Sequence, residues 1–245
     1  MRYAQTALEP RVADVTFGPL GKYEPVNDND PKKGVAFNRH ELRASLTRDL
    51  GRPPSTDSGQ PERHGDFMQT YTGRKFWSLD PRPEEVFIED IAHSLSLQCR
   101  YAGHCIKFLS VAEHSVLIAR WLLDHTDAQT ALYGLLHDAP EAYVVDVPRP
   151  LKPFLANYKE AEAKVWAAIA RRYRLAVAMP EAVHEADGRI IADELVNLLP
   201  MDWHSRHDDP LGVKLEYWSP EEAEVEFLAA FDALTAMAGE TGMVA

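Results

Sequence analysis

Four residues of this chain, His114, His137, Asp138 and Asp187, are of the types that bind a divalent cation, and each falls on or at the end of a helical pattern. His137 and Asp138 follow the apolar pair Leu135-Leu136. Adjacent helix residues project about 100° apart, so both can reach one flank of a cleft between helices. His114 from one neighbouring helix and Asp187 from another would complete a set of two imidazoles and two carboxylates. Mixed nitrogen and oxygen donors suit Mn, Fe, Co, Ni or Zn better than Ca or Mg alone. Positions left to water or substrate would make such a site catalytic rather than structural. Taken singly, each residue has a plainer reading. His114 could be a hydrogen-bonded core histidine, Asp187 a carboxylate paired with Arg189, and His137-Asp138 a chance dipeptide. Only the combination argues for a metal.

Two acids and three cations extend the set. Glu141 lies four residues after His137 and shares its face if the helix persists past Pro140. A carboxylate beside a metal but not on it can position or deprotonate an attacking water. Asp146 opens the rigid stretch Asp146-Val147-Pro148-Arg149-Pro150 and could carry a proton, or simply hold a turn. Arg100, Arg149 and Lys152 are the cations within reach of a phosphate, each equally readable as a surface ion pair.

The elements that must position these groups are helical. Ile88, Ile91, Leu95 and Leu97 fall on one face of a helix that begins near residue 84 and stops near Gly103. Ser110 and Glu113 form a capping box, expected to satisfy two backbone donors reciprocally, and it opens a helix carrying His114, Leu117, Ile118 and Trp121 on one side. A further helix from Asp127 delivers His137 and Asp138, and Pro140 ends its regular hydrogen bonding. Residues 157–174 form an amphipathic helix, and Pro180 starts the helix that holds Asp187. Ser219-Pro220-Glu221-Glu222 is a second capping box before the last helix. Residues 68–77 read as a short hairpin or an extended lead-in. The expected fold class is therefore all-α.

Residues 1–66 read differently. A brief alternation at 12–17, a short helix at 38–49 and a turn-rich linker at 51–61 make an N-terminal extension without a recognisable site. The domain division expected is 1–66 and 67–245. The 245 residues are 45% hydrophobic, enough for a globular core, and the formal charge of −12 argues against a polymer of nucleic acid or an anionic membrane as partner. No apolar run or signal-type N-terminus is present, so the expected location is cytoplasmic. Cys99 and Cys105 form no disulfide framework. With His104 they could suggest zinc, but two reduced thiols are the simpler reading.

The spacing His114 … His137-Asp138 … Asp187 resembles the signature of HD-domain metal-dependent phosphohydrolases. Ser110-Val111-Ala112-Glu113-His114-Ser115, His137-Asp138-Ala139-Pro140-Glu141 and Asp146-Val147-Pro148-Arg149-Pro150-Leu151-Lys152 resemble in particular the bacterial 5′-deoxynucleotidases and the phage deoxyadenosine triphosphate triphosphohydrolases. The resemblance covers residues 70–199 and leaves 1–66 unexplained. It implies an HD-domain helical bundle holding one divalent metal (Co, Mn, Fe, Ni or Zn, with Mg as an option) on His114, His137, Asp138 and Asp187. It further implies that Glu141 and Asp146 activate water and transfer protons, that Arg100 and Lys152 contact phosphate, and that Tyr101 faces the base or sugar. The Glu-Asp pair of the stringent-response hydrolases is absent, because Ala142 follows Glu141, and only His93 and His104 stand near for a second metal.

The expected activity is hydrolysis of a deoxynucleotide in a bacterial or phage-infected cell, releasing phosphate from a monophosphate or triphosphate from a dNTP. A homo-oligomer is expected. The rival expectation is a helical nucleotide-binding or partner-docking module that keeps the metal without useful turnover. A third places the function in residues 1–66, as a docking arm on an inherited core.

Overall fold

A computed structural model describes residues 63–241, and the expected strand at 12–17, helix at 38–49 and linker at 51–61 lie outside the described residues. The fold is all-α, as the periodicity predicted. The described residues hold seven α-helices and one small hairpin: α1 Ile88–Leu97, α2 Val111–His125, α3 Ala128–Leu136, the single turn α4 Glu141–Val144, α5 Tyr158–Arg172, α6 Glu181–Glu194 and α7 Pro220–Thr241.

Helix α2 is the axis of the bundle. It packs along α3 and α7 and also meets α1 and α6. Every residue from Val111 to Ala119 is buried, so α2 carries no polar face along its first two turns, and His114 lies wholly inside. Helix α3 comes close to α2 at Gly134. A Cβ there would fall well inside van der Waals contact with Leu122 Cδ1 and 3.1 Å from Ile118 Cγ2. Phe227 and Leu234 of α7, Ile190 of α6 and Ile169 of α5 close the core around them.

Of the two expected capping boxes the second closes reciprocally, whereas only the serine half of the first forms. Ser110 Oγ accepts the Glu113 N–H at 2.9 Å, whereas the Glu113 carboxylate does not return to Ser110. It accepts the N–H groups of Glu216, Tyr217 and Trp218 at 2.8, 2.9 and 2.8 Å. A fully buried carboxylate needs more donors than one helix end supplies, and the incoming chain before α7 offers three. At the second box the bonding is reciprocal between Ser219 and Glu222. Pro180 precedes α6 as its N-cap rather than standing inside it.

The hairpin pairs strand β1 (Met68–Gln69) with β2 (Lys75–Phe76) antiparallel, Met68 opposite Phe76. Thr72 at its turn donates its N–H and O–H to Asp90 of α1 at 2.7 and 3.1 Å. Arg63 grips Glu85 and Asp80 and lies over the Trp77 ring at 4.1 Å, so the chain is tied into this unit ahead of residue 67.

Helix α1 ends at Leu97, six residues before Gly103. Residues Arg100–Gly103 instead form a separate tight turn in which Tyr101 (φ 56°), Ala102 (φ 51°) and Gly103 (φ 79°) are all left-handed. Glycine adopts this conformation freely. Tyrosine and alanine each pay a strain of about 1–3 kcal/mol, which surrounding bonds must hold in place.

Candidate metal centre

Three helices bring the predicted ligands together. Helix α2 supplies His114 from its first turn, the end of α3 supplies His137 and Asp138, and α6 supplies Asp187. His114, His137 and Asp187 each offer one donor atom within 4.8 Å of the others, a group that could hold a metal ion. Asp138 Oδ2 lies 3.6 Å from His114 Nε2 and 3.3 Å from His137 Nε2. Asp187 Oδ1 lies 3.4 and 3.8 Å from the same two atoms.

These spacings are too long for good hydrogen bonds, and both Nε2 atoms are buried without a partner. The two shorter spacings, 3.3 and 3.4 Å, fall at the edges of a coordination polyhedron, and those of 3.6 and 3.8 Å would have to contract around a cation. Donors about 2.1 Å from a common cation sit about 3.0 Å apart at right angles and about 3.4 Å apart at tetrahedral angles.

The far side of each imidazole fixes its tautomer. His137 Nδ1 lies 2.8 Å from the Gly134 carbonyl, which can only accept, so Nδ1 carries a proton and Nε2 is the nitrogen that a cation would take, displacing any proton there. His114 Nδ1 lies 2.7 Å from Oε1 of Glu194, a side chain with no exposed surface. Burial pushes the Glu194 carboxyl up, but Arg100 and His114 outweigh it and hold it down to about 2. Glu194 is therefore an anion, and it too takes its hydrogen from Nδ1. A carboxylate or carbonyl behind each ligand histidine is the usual outer support of a metal site. Between the rings the charge is unbalanced. Burial opposes protonation of His137, yet the facing Asp138 and Asp187 raise it well above its ordinary value. A divalent cation would answer that excess of negative charge.

The other expected site residues lie around this centre in different states. Arg100 donates from Nη2 to Glu194 Oε2 at 3.0 Å, with Nη1 3.7 Å from Asp138 Oδ2. The Tyr101 hydroxyl donates to the same Glu194 oxygen at 2.5 Å. Both therefore point into the second layer behind His114. Glu141 is buried, its Oε1 held by Lys152 Nζ at 3.2 Å and its Oε2 without a partner. Burial, then Asp138 and Asp146, push its carboxyl up to about 8, with Lys152 pulling the other way. Burial also raises Asp146, against the pull of Arg100. Lys152 is shared with Glu162 at 3.0 Å. Arg149 is 71% exposed, with Nη2 3.7 Å from Asp187 Oδ2 at the rim.

The helix does not persist past Pro140. Glu141 reaches the site because α4 restarts there, its N–H bonded to the Asp138 carbonyl at 2.9 Å. The loop to Asp146 then turns at Val145, a β-branched residue at φ 70° and ψ 147°, where an L side chain is strained.

Two functional residues escaped the sequence reading. Glu194 stands seven residues after Asp187, two turns along the same face of α6, and that spacing was the available signal. Gln98 accepts the Asp146 N–H at 2.9 Å and donates to the Glu141 carbonyl at 3.1 Å, linking the two acids, and no pattern marked it. His93 is occupied elsewhere, bonded to Glu224 at 3.0 Å and stacked on Tyr71. Among the described residues Cys99, His104 and Cys105 form no metal-holding group.

No family model matches the chain. It is 40% identical over 128 residues to the uncharacterized protein YfdR of Escherichia coli, an alignment covering 52% of this chain and 70% of YfdR. It is 34% identical over 126 residues to an uncharacterized protein of Rhodobacter capsulatus, covering 49% of this chain and 64% of that protein.

Proposed function

We propose that this chain, which belongs to the family of Escherichia coli YfdR, is a metal-dependent phosphohydrolase of the HD-domain type acting on a deoxynucleotide. The observation that carries the reading is the pair of buried, unpartnered Nε2 atoms of His114 and His137, facing Asp138 and Asp187 with both Nδ1 protons committed behind them. Two imidazoles and two carboxylates favour Mn, Co, Fe, Ni or Zn. The chemistry such a cation supplies is Lewis acidity: a more polarised phosphoryl group and a more acidic water.

The chain's own residues do the rest. Glu141, with one oxygen on Lys152 and the other unpartnered, orients the attacking water and takes its proton in the ionised fraction, which grows as pH rises toward its raised value of about 8. Water oxygen bonds to the phosphorus next to the sugar as the ester bond from that phosphorus to the 5′-oxygen breaks, in the monophosphate and in the triphosphate alike. Asp146, fixed against Gln98, hands a proton to the departing oxygen. Arg149 at the rim meets phosphate oxygens first, and Lys152 shares that charge from within. Arg100 and Tyr101 serve by holding Glu194, and through it His114.

A second reading is supported by one observation: Arg100 and Lys152, the two cations expected to grip phosphate, are both engaged in ion pairs inside the chain. A nucleotide-binding module would keep the metal and turn over nothing, and Glu141→Ala would leave its ligand affinity unchanged.

The test is a screen for phosphate and triphosphate release from dNMPs and dNTPs with Mn, Co, Mg and Zn. His137→Ala and Asp138→Ala are expected to abolish both bound metal and turnover. Full activity in either variant sinks the site, and metal binding without any release across the screen selects the module.

A further inference from the structure

Cys99 and Cys105 bracket the left-handed turn that carries Arg100 and Tyr101, and their Sγ atoms lie 3.4 Å apart. Both side chains are partly exposed, and they are the two cysteines of the chain. The backbone on either side is pinned. Cys99 bridges Ser110 and the Arg100 N–H bonds the Leu109 carbonyl at 2.9 Å. On the other side the Ile106 N–H bonds the Asn197 carbonyl at 2.8 Å, and the Asn197 side chain exchanges two bonds with Lys107. The fold thus holds the sulfurs 3.4 Å apart, and a disulfide needs them to close to about 2.05 Å.

The turn between them needs restraint. Of the three successive residues at positive φ, Tyr101 and Ala102 store strain, and its release would draw Arg100 and Tyr101 off Glu194, the carboxylate behind His114. We propose that Cys99 and Cys105 are a disulfide-forming pair that staples this turn, oxidised by exchange with a low-molecular-weight disulfide. One cysteine thiolate attacks the small disulfide and releases one thiol, leaving a mixed disulfide. The second cysteine attacks the protein sulfur of that intermediate and releases the other thiol. Two S–H bonds and one S–S bond are exchanged for one S–S bond and two small-molecule thiols. Burial and the neighbouring thiol raise Cys105 above its ordinary value, so it attacks slowly at neutral pH. Slow attack by Cys105 suits a pair that equilibrates with the ambient thiol–disulfide balance. This chemistry does not depend on what the metal centre hydrolyses.

The test equilibrates the full chain across a series of reduced and oxidised glutathione ratios, then alkylates free thiols and measures intact mass. The expected product is a monomer lighter by two hydrogens and resistant to alkylation, with a Tm raised by roughly 5 °C over the reduced protein. Cys99→Ser is expected to trap glutathione on Cys105 and to lose the shift in Tm. Two alkylated thiols at every ratio, stable mixed disulfides on both cysteines, or disulfide-linked dimers would overturn the pair. An internal disulfide that leaves Tm unchanged or lowers it would overturn the staple.

Discussion

Glu194 is the side chain on which the most other groups depend. It receives Arg100, Tyr101 and His114 at once, with no exposed surface. Glu194→Gln keeps its shape but turns an amide donor toward groups that are themselves donors. The His114 ring loses its anchor, and buried Arg100 loses its shorter ion pair and keeps the 3.7 Å one to Asp138. We expect Mn or Co affinity to fall about 10- to 100-fold with the helical content unchanged. Calorimetric titration of the variant decides this, and unchanged affinity would show that His114 is oriented by its own packing. The ligand types were legible from spacing because helix geometry repeats, so His114, His137 and Asp187 could be set on facing flanks without a structure. Glu194 was legible in principle from its distance to Asp187. Gln98 was not, since its role depends on where the loop after α4 returns, and no local pattern encodes that.

At the scale of elements, close approach and charge burial decide more than propensity. Gly134 lets α3 lie against Leu122 and Ile118 of α2, and that approach sets the separation of His137 from His114. Gly134→Ala would gain helix propensity in an isolated peptide. Here the added methyl has no space, so we expect a net loss of about 1–3 kcal/mol in urea unfolding, with weaker metal binding. A stabilised variant would show that the contact relaxes. Asp90 makes a prediction of opposite sign. Burial raises its carboxyl above the ordinary value, against the bonds from Thr72 and the charge of Arg74. An acid whose pKa is higher folded than unfolded holds more protons in the native state, so stability falls as pH rises from the unfolded value, about 4, through the folded one. Asparagine can keep both contacts, accepting from the Thr72 N–H and donating to its hydroxyl. We expect Asp90→Asn to be more stable than the natural protein at pH 7, the advantage vanishing below about pH 4. A pH-independent difference would remove ionisation as the cause. Helix existence was readable here from periodicity and caps. The left-handed Tyr101 and Ala102 were not, because only Gly103 in that turn advertises positive φ.

For the whole molecule, every residue assigned to the centre and to its supports falls between Gln98 and Glu194, and the helices that bury them form one unit within residues 63–241. The all-α class was readable because amphipathic stripes repeat through that span. The expected boundary at residue 66 rested on composition alone, and composition is silent about single anchoring contacts. Arg63 makes three of them, to Asp80, Glu85 and Trp77, and Asp80 and Glu85 flank the turn that leads into α1. A cut after residue 66 would strand Glu85 and uncover the Trp77 face, whereas a cut after residue 61 would keep both. We therefore expect a chain beginning at residue 62 to unfold cooperatively and to bind Mn or Co as the full chain does. A chain beginning at residue 67 should lose about 1–3 kcal/mol of stability while retaining the metal, because the anchor lies on the hairpin side of the bundle and not at the His114–Asp187 cleft. Calorimetry of the two truncations beside the full chain measures both quantities. Loss of metal in the chain beginning at residue 62 would place part of the centre in residues 1–61, and equal stability of the two would show that the Arg63 contacts contribute nothing.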